Sequence, residues 1–163
     1  MPLVIAELPA GGGTLALCPM PGRDGQYQAD LSQVVRWSPD LVLTMTPMAE
    51  LRAKGAWELP DDLALHQIKW AQFPVVDFGT PGPQDEAIWT PISAEARKIL
   101  SQGGRVLAHC LGGCGRSGMA ILRLMVELGE DPQTALNRLR DVRPCAVETP
   151  DQFAWASKPQ TNP

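Results

Sequence analysis

The chain has 163 residues, of which 44% are hydrophobic, and a formal charge of −4. That suits one globular domain that buries its own core without staples, and the acid excess excludes a general binder of nucleic acid or acidic membrane, which would present a basic surface. No apolar run approaches the ~20 residues of a membrane span. The segment Met1 to Glu7 also lacks a basic n-region and a long apolar h-region, so a cytoplasmic protein is expected.

The sixteen prolines and fifteen glycines are scattered between periodic segments and read as loop punctuation. There is no internal repeat or linker. Residues 1–157 are therefore expected to form a single domain, and 158–163 a tail of disordered composition. The four cysteines, Cys18, Cys110, Cys114 and Cys145, are too sparse to suggest a disulfide scaffold.

In chain order, Gly11-Gly12-Gly13 marks a turn, Thr14 to Cys18 a short strand, and Pro19 to Gly25 a loop. Ala29 to Trp37 carries Leu31, Val34 and Val35 at helical spacing and stops at Ser38-Pro39. A strand over Leu41 to Met45 follows, then a helix over Met48 to Lys54 and one or two turns over Asp61 to His66. Gln67 to Val76 is rich in β-compatible residues and leads into the loop Asp77 to Pro83. Glu86 to Gln102 is helical, with Pro91 near its first turns and Gly103-Gly104 ending it. Arg105 to Ala108 is an apolar strand. After it come a helix from Met119 toward Gly129, another from Pro132 to about Val142 capped by Asp131, and a last one from about Pro150. Strands alternating with helices, then consecutive helices, predict an α/β fold: a twisted, largely parallel central sheet flanked by helices. Ligand should bind at the carboxyl ends of the strands.

The stretch between the last strand and its helix is His109-Cys110-Leu111-Gly112-Gly113-Cys114-Gly115-Arg116-Ser117-Gly118. A helix N-terminus offers unpartnered N–H groups and the positive end of the macrodipole, and the glycines let the backbone curl around an anion. Arg116 can close the ring with a planar fork that grips two phosphate oxygens, which lysine could not do. The same surroundings favour a thiolate at Cys110, the nucleophilic form of the side chain. A buried small hydrophobe is the ordinary fate of a free cysteine, but the whole constellation argues against it here.

Cysteine, five residues, then Arg-Ser, with histidine in front, resembles position by position the signature of the cysteine-dependent protein tyrosine and dual-specificity phosphatases. The resemblance implies that fold, with the phosphate loop between a central strand and a helix. It implies that Cys110 attacks phosphorus to form a phosphocysteine, Arg116 stabilises the transition state, Ser117 hydrogen-bonds the departing sulfur and His109 orders the loop. Phosphate, or sulfate or vanadate in its place, would sit in the cradle of Leu111, Gly112, Gly113, Cys114, Gly115 and Arg116. No metal or other cofactor is implied. Cys114 and His109 superficially offer metal ligands, but no second Cys/His cluster completes a tetrahedral site.

Asp77 is the candidate acid, because a departing alkoxide or phenoxide needs a proton. Phe73 to Pro81 resembles the mobile acid loop that this family places some thirty residues before the nucleophile; a carboxylate capping its own turn is the plainer alternative. Arg143 to Gln152 resembles a later family segment, Arg-Pro-Gly-Ala-(Ile/Val)-Glu-Thr followed by Gln, with Cys145 in place of the usual glycine. The resemblance implies that Gln152 orients water for phosphocysteine hydrolysis, against an equally good reading as a solvent-facing helix residue. Arg143 is expected in a structural ion pair. The likeness covers Thr14 to Trp155.

His66 receives no role, and the five tryptophans, without basic interleaving, suggest packing and not a nucleic-acid stacking surface. The cradle lacks the lysines that phosphoinositide phosphatases of this superfamily use, so phosphorylated proteins or peptides are the expected substrates, at a shallow site. Two rival functions are a catalytically silent phospho-residue binder, which intact Cys110, Arg116 and Asp77 oppose, and a rhodanese-like sulfur transferase, whose loop does not require Arg-Ser. An accessible thiolate at Cys110 should also react with peroxide, with Cys114, Cys18 or Cys145 as unranked partners for a protecting disulfide.

Overall fold

The computed structural model describes residues 2–158; the expected tail, apart from Lys158, lies outside them. Five strands form one sheet: β1 (Ala6–Ala10), β2 (Gly13–Cys18), β3 (Leu41–Thr44), β4 (Lys69–Gln72) and β5 (Arg105–His109). Their spatial order is β1-β2-β5-β3-β4. The β2, β5, β3 and β4 pairings are parallel and β1 runs antiparallel to β2. The largely parallel sheet is as expected, and β1 is an addition to it. Proline at position 9 hides this strand from a propensity reading, but an edge strand tolerates a missing ladder donor. The two-residue turn that joins β1 to β2 puts both Gly11 and Gly12 at positive φ, the conformation tight hairpins demand.

Seven α-helices and one short 3-10 helix (Pro83–Asp85) complete the described chain: α1 (Tyr27–Trp37), α2 (Met48–Ala53), α3 (Leu59–Leu65), α4 (Glu86–Ser101), α5 (Gly115–Glu127), α6 (Pro132–Val142) and α7 (Pro150–Ala156). Asp131 caps α6 by accepting from the Thr134 N–H, with Pro132 in the first turn, as its sequence predicts. The expected strand over Gln67 to Val76 is only Lys69–Gln72, because Pro74 has no N–H to give. Its path persists, however: Phe73 N donates to Thr44 O (2.9 Å) and Val75 N to Met45 O (3.1 Å), which carries the chain along β3 to Asp77.

The period-2 alternation of the strands sorts side chains onto two faces. Leu15, Leu17, Leu43, Val106 and Ala108 join the core under α4 to α7. Ala16, Cys18, Val42 and Leu107 join Leu31, Val34, Leu51, Leu59 and Leu63 of α1 to α3. Covered on both faces, β5 is buried from Val106 onward, and every residue of α5 from Gly115 to Val126 is buried. Burial of Leu-sized side chains at about 1.5–3 kcal/mol each fixes this central strand and helix rigidly. Two tryptophans belong to that core: Trp89 and Trp155 meet edge-on with ring centroids 5.1 Å apart, both against Phe73.

Candidate active site

The segment between β5 and α5 begins at the carboxyl end of the central strand, and its carbonyls account for its shape. His109 O accepts from Met45 N (3.0 Å), Leu111 O from Met20 N (3.1 Å) and Cys114 O from Gly118 N (3.0 Å) and Val147 N (3.1 Å). Cys110 O pairs with His109 Nδ1 at 3.0 Å, and Gly112 O and Gly113 O accept from Arg143 Nη2 and Nε, each at 2.9 Å. With every carbonyl from 109 to 114 held from outside, the N–H groups turn inward. Among the described residues, those of Leu111 to Ser117 find no acceptor in the chain. Backbone donors left this way form an anion cradle at a helix N-terminus. Gly113 permits the curl: it stands at φ +74°, and a Cβ there would lie 2.5 Å from Pro19 N.

Cys110 is buried at the floor, its Sγ 3.2 Å from Ser117 Oγ. His109 is fully buried, and its ring is fixed by elimination. Nδ1 faces a carbonyl and must donate, so in the neutral ring Nε2 accepts from Thr44 Oγ1 at 2.7 Å. Thr44 Oγ1 in turn accepts from Trp70 Nε1 at 2.7 Å. Burial is the main cause that lowers the His109 pKa to about 4; the Cys110 carbonyl opposes the shift, and the Arg116 charge adds to it. This imidazole is therefore neutral and holds the Cys110 carbonyl.

Arg116, only 2% exposed, reaches back over the cradle. Its Nη1 and Nη2 donate to Glu50 Oε2 (2.7 Å) and Oε1 (3.0 Å), and Nη1 also donates to Val75 O (2.9 Å). Asp77 Oδ1 lies 3.2 Å from Nη2. Burial disfavours the guanidinium charge, but the Glu50 hydrogen bonds and charge outweigh it, helped by Cys110 and Asp77, and raise its pKa. Asp77 is half exposed and also accepts from Phe78 N (3.1 Å), so it caps its own turn while it faces the cradle. The turn puts Phe78 at φ +58° with its ring exposed. Together with Arg23, Leu111 and Glu148, these groups line an open cleft of about 320 Å³.

Three expectations need correction. Among the described residues Arg143 makes no ion pair; it braces two cradle carbonyls, and only the folded loop supplies those acceptors. Gln152 does not face solvent: it is fully buried, accepts from Glu148 N at 2.8 Å and donates to Gly79 O at 3.3 Å, so it links the acid loop to the segment before α7. Cys114 and Cys145, each expected as a possible disulfide partner of Cys110, are joined to each other. Neither is then a free thiol for Cys110, and Cys18, the remaining one, is fully buried. Burial, followed by the nearby Cys110 charge, pushes the Cys18 thiol far above its ordinary range. Sequence reading missed Glu50 and Thr44. The available signal was their place at the carboxyl end of β3 and the start of the following helix, where the sheet presents its ligand.

Among the described residues no three His, Cys, Asp or Glu side chains gather as a metal site, and no helix is long and apolar enough to cross a membrane.

Residues 25–159 match the family model for protein-tyrosine phosphatases. Cyclin-dependent kinase inhibitor 3 of Mus musculus is 32% identical over 151 residues, 86% of this chain and 69% of its own length. The Homo sapiens protein of the same name is 29% identical over the same shares. Among solved structures, kinase associated phosphatase with its catalytic-site cysteine replaced by serine superposes with a TM-score of 0.82 at 25% identity, over 96% of this chain and 93% of that one. Tk-PTP in its active form gives 0.65 at 28% identity, over 86% of each chain. With a cysteine, an arginine and free N–H donors assembled as above, the chain belongs to the protein-tyrosine phosphatase family, as a cysteine-dependent protein phosphatase of the dual-specificity kind.

Proposed function

We propose that this chain hydrolyses phosphomonoesters on proteins in two steps through a phosphocysteine. In the first step the Cys110 thiolate attacks phosphorus, an S–P bond forms, and the P–O bond to the substrate side chain breaks as Asp77 gives its proton to the departing oxygen. In the second, water attacks phosphorus, the Asp77 carboxylate takes a proton from it, and the S–P bond breaks to release inorganic phosphate. The restored thiolate is stabilised by the Ser117 hydroxyl, 3.2 Å away. The inward N–H groups of Leu111, Gly112, Gly113, Cys114, Gly115 and Arg116, with the Arg116 fork, hold the three non-bridging oxygens while charge builds on them. His109 and Gln152 are positioning residues, one for the Cys110 carbonyl and the other for the acid loop through Gly79.

The observation that carries this reading is the division of the cradle: its carbonyls are bound from outside and its N–H groups are free around a buried sulfur. A lysine-free loop on an open cleft, and relatives named for kinases, favour phosphorylated protein side chains over phosphoinositides. A cytoplasmic location belongs to the same reading. Reducing compartments hold transient or sensing disulfides and not structural ones, so the Cys114–Cys145 bond must then be of that kind.

The test is hydrolysis of an aryl phosphate and of a phosphopeptide panel by the wild type and by Cys110→Ser. Turnover disappears in the variant while vanadate and phosphate still bind, because a neutral hydroxyl without a base is a poor nucleophile. Undiminished turnover in Cys110→Ser would overturn the covalent route.

A further inference from the structure

The cradle is held on its outer side by one short segment, residues 143–147. Arg143 binds the carbonyls of Gly112 and Gly113, Val147 N binds that of Cys114, and the Cys114–Cys145 disulfide joins the two pieces covalently across a sequence separation of 31. The segment does not rest there by its own preference. Val147, a β-branched residue, stands at φ +68°, where such side chains are strained. Two hydrogen bonds from Arg140, to Ala146 O and Val147 O, each 2.9 Å, hold it. Cys145 is exposed and Cys114 partly so, which leaves the bond open to an attacking thiolate. Cys110 and Cys18 are buried.

We propose that the Cys114–Cys145 disulfide is a redox-operated brace of the phosphate loop, so that a dithiol reductant lowers the activity of this phosphatase. Cys114 and Cys145 are thus positioning residues for the cradle. This inference rests on the phosphatase reading above. A reductant thiolate attacks Cys145 Sγ, the S–S bond breaks and Cys114 leaves as a thiolate that takes up a proton. The reductant's second thiol then displaces Cys145, which is likewise protonated. Two electrons and two protons pass to the protein, and the reductant becomes its own disulfide. In the reduced protein only hydrogen bonds, those of Arg140, Arg143 and Val147 N, still oppose the strain at Val147, so the 143–147 segment relaxes and Arg143 loosens its hold on the carbonyls of Gly112 and Gly113. The N–H groups of those two peptides then no longer converge. Free Cys18 cannot replace the lost link, being fully buried.

The experiment titrates wild type and Cys145→Ser across dithiothreitol ratios, and records thiol count, kcat and KM for an aryl phosphate, and affinity for inorganic phosphate. Denatured wild type should give two thiols before reduction and four after it. Upon reduction, kcat/KM and phosphate affinity should fall about tenfold, the scale of a displaced binding loop, while the sensitivity of rate to leaving-group acidity stays unchanged, because Asp77 lies outside the braced segment. Cys145→Ser should show the low values throughout and no response to dithiothreitol. A role confined to stability would lower the melting temperature and leave phosphate affinity alone. Four thiols before reduction, or equal phosphate affinity in the two redox states, overturns the inference. If the oxidised protein hydrolyses no phosphomonoester, the phosphatase reading fails separately, and phosphate affinity in the two states still decides the brace.

Discussion

Replacing Glu50 by alanine tests how the cradle's arginine is aimed. The Arg116 guanidinium makes four contacts, two with Glu50, one with Val75 O and one with Asp77. The substitution removes the bidentate pair, including the shortest contact. Two charge-assisted hydrogen bonds are worth about 1.5 kcal/mol each at the lower end of their range, and loss of one partner of a buried pair reaches about 3–5 kcal/mol. The Glu50 side chain is 27% exposed, so water enters and replaces part of this. The expected loss of stability is therefore about 2 kcal/mol, read from urea unfolding. Catalysis should suffer more than that figure suggests, because an arginine that no longer presents its fork loses bidentate contact with the equatorial oxygens. We expect kcat/KM for an aryl phosphate to fall about 10²-fold, which is about 2.7 kcal/mol of transition-state stabilisation. Glu50→Gln, which keeps one acceptor and the side-chain shape, should lie between. If Glu50→Ala loses stability and keeps wild-type kcat/KM, Glu50 only neutralises a buried charge and the aiming argument is wrong.

Asp77→Asn should lower kcat by ~10²–10⁴ for alkyl phosphates and far less for p-nitrophenyl phosphate, since only a poor leaving group needs the proton; equal losses for both would remove Asp77 from acid catalysis. His109, with a pKa of about 4 in the fold against 6.5 in the unfolded chain, is neutral when folded. The unfolded state therefore binds more protons between these values, and stability falls as pH drops from about 6.5 to 4, by about 3 kcal/mol in total, and levels below that. Proton uptake on unfolding at pH 5, by calorimetry in buffers of different ionisation enthalpy, should be nearly one proton smaller in His109→Gln; identical uptake would contradict the buried neutral imidazole. Reduction of Cys114–Cys145 releases a loop of sequence separation 31 and should cost roughly 3–4 kcal/mol of stability by loop-closure entropy, read as a lower urea midpoint for the reduced protein, with no shift expected in Cys145→Ser.

Contiguous residues encode the heart of this site. From His109 to Ser117 the nucleophile, the glycines, the arginine and the hydroxyl lie within nine positions, so the geometry of one strand-to-helix turn brings them together whatever surrounds it. The cap of α6 was legible for the same reason, since Asp131 and Pro132 act on their own first turn. Asp77 was legible through the composition of its loop, which the path beyond β4 delivers to the cradle. The residues that hold these groups come from distant parts of the chain and meet them through folding. Glu50 meets Arg116 across 66 residues, Thr44 meets His109 across 65, and Arg143 reaches Gly113 across 30. A lone glutamate, threonine or arginine carries no spacing signal for such a partner. The strand β1 was hidden by Pro9, whose propensity counts against a strand until the chain is placed at a sheet edge. The disulfide depended likewise on three dimensions: four cysteines permit several pairings, and the approach of Cys114 to Cys145, with Cα atoms 5.2 Å apart, follows from the docking of the 143–147 segment against the loop. Local chain geometry is fixed by neighbouring residues, whereas pairings between distant ones exist only after the sheet and its two helical layers have packed.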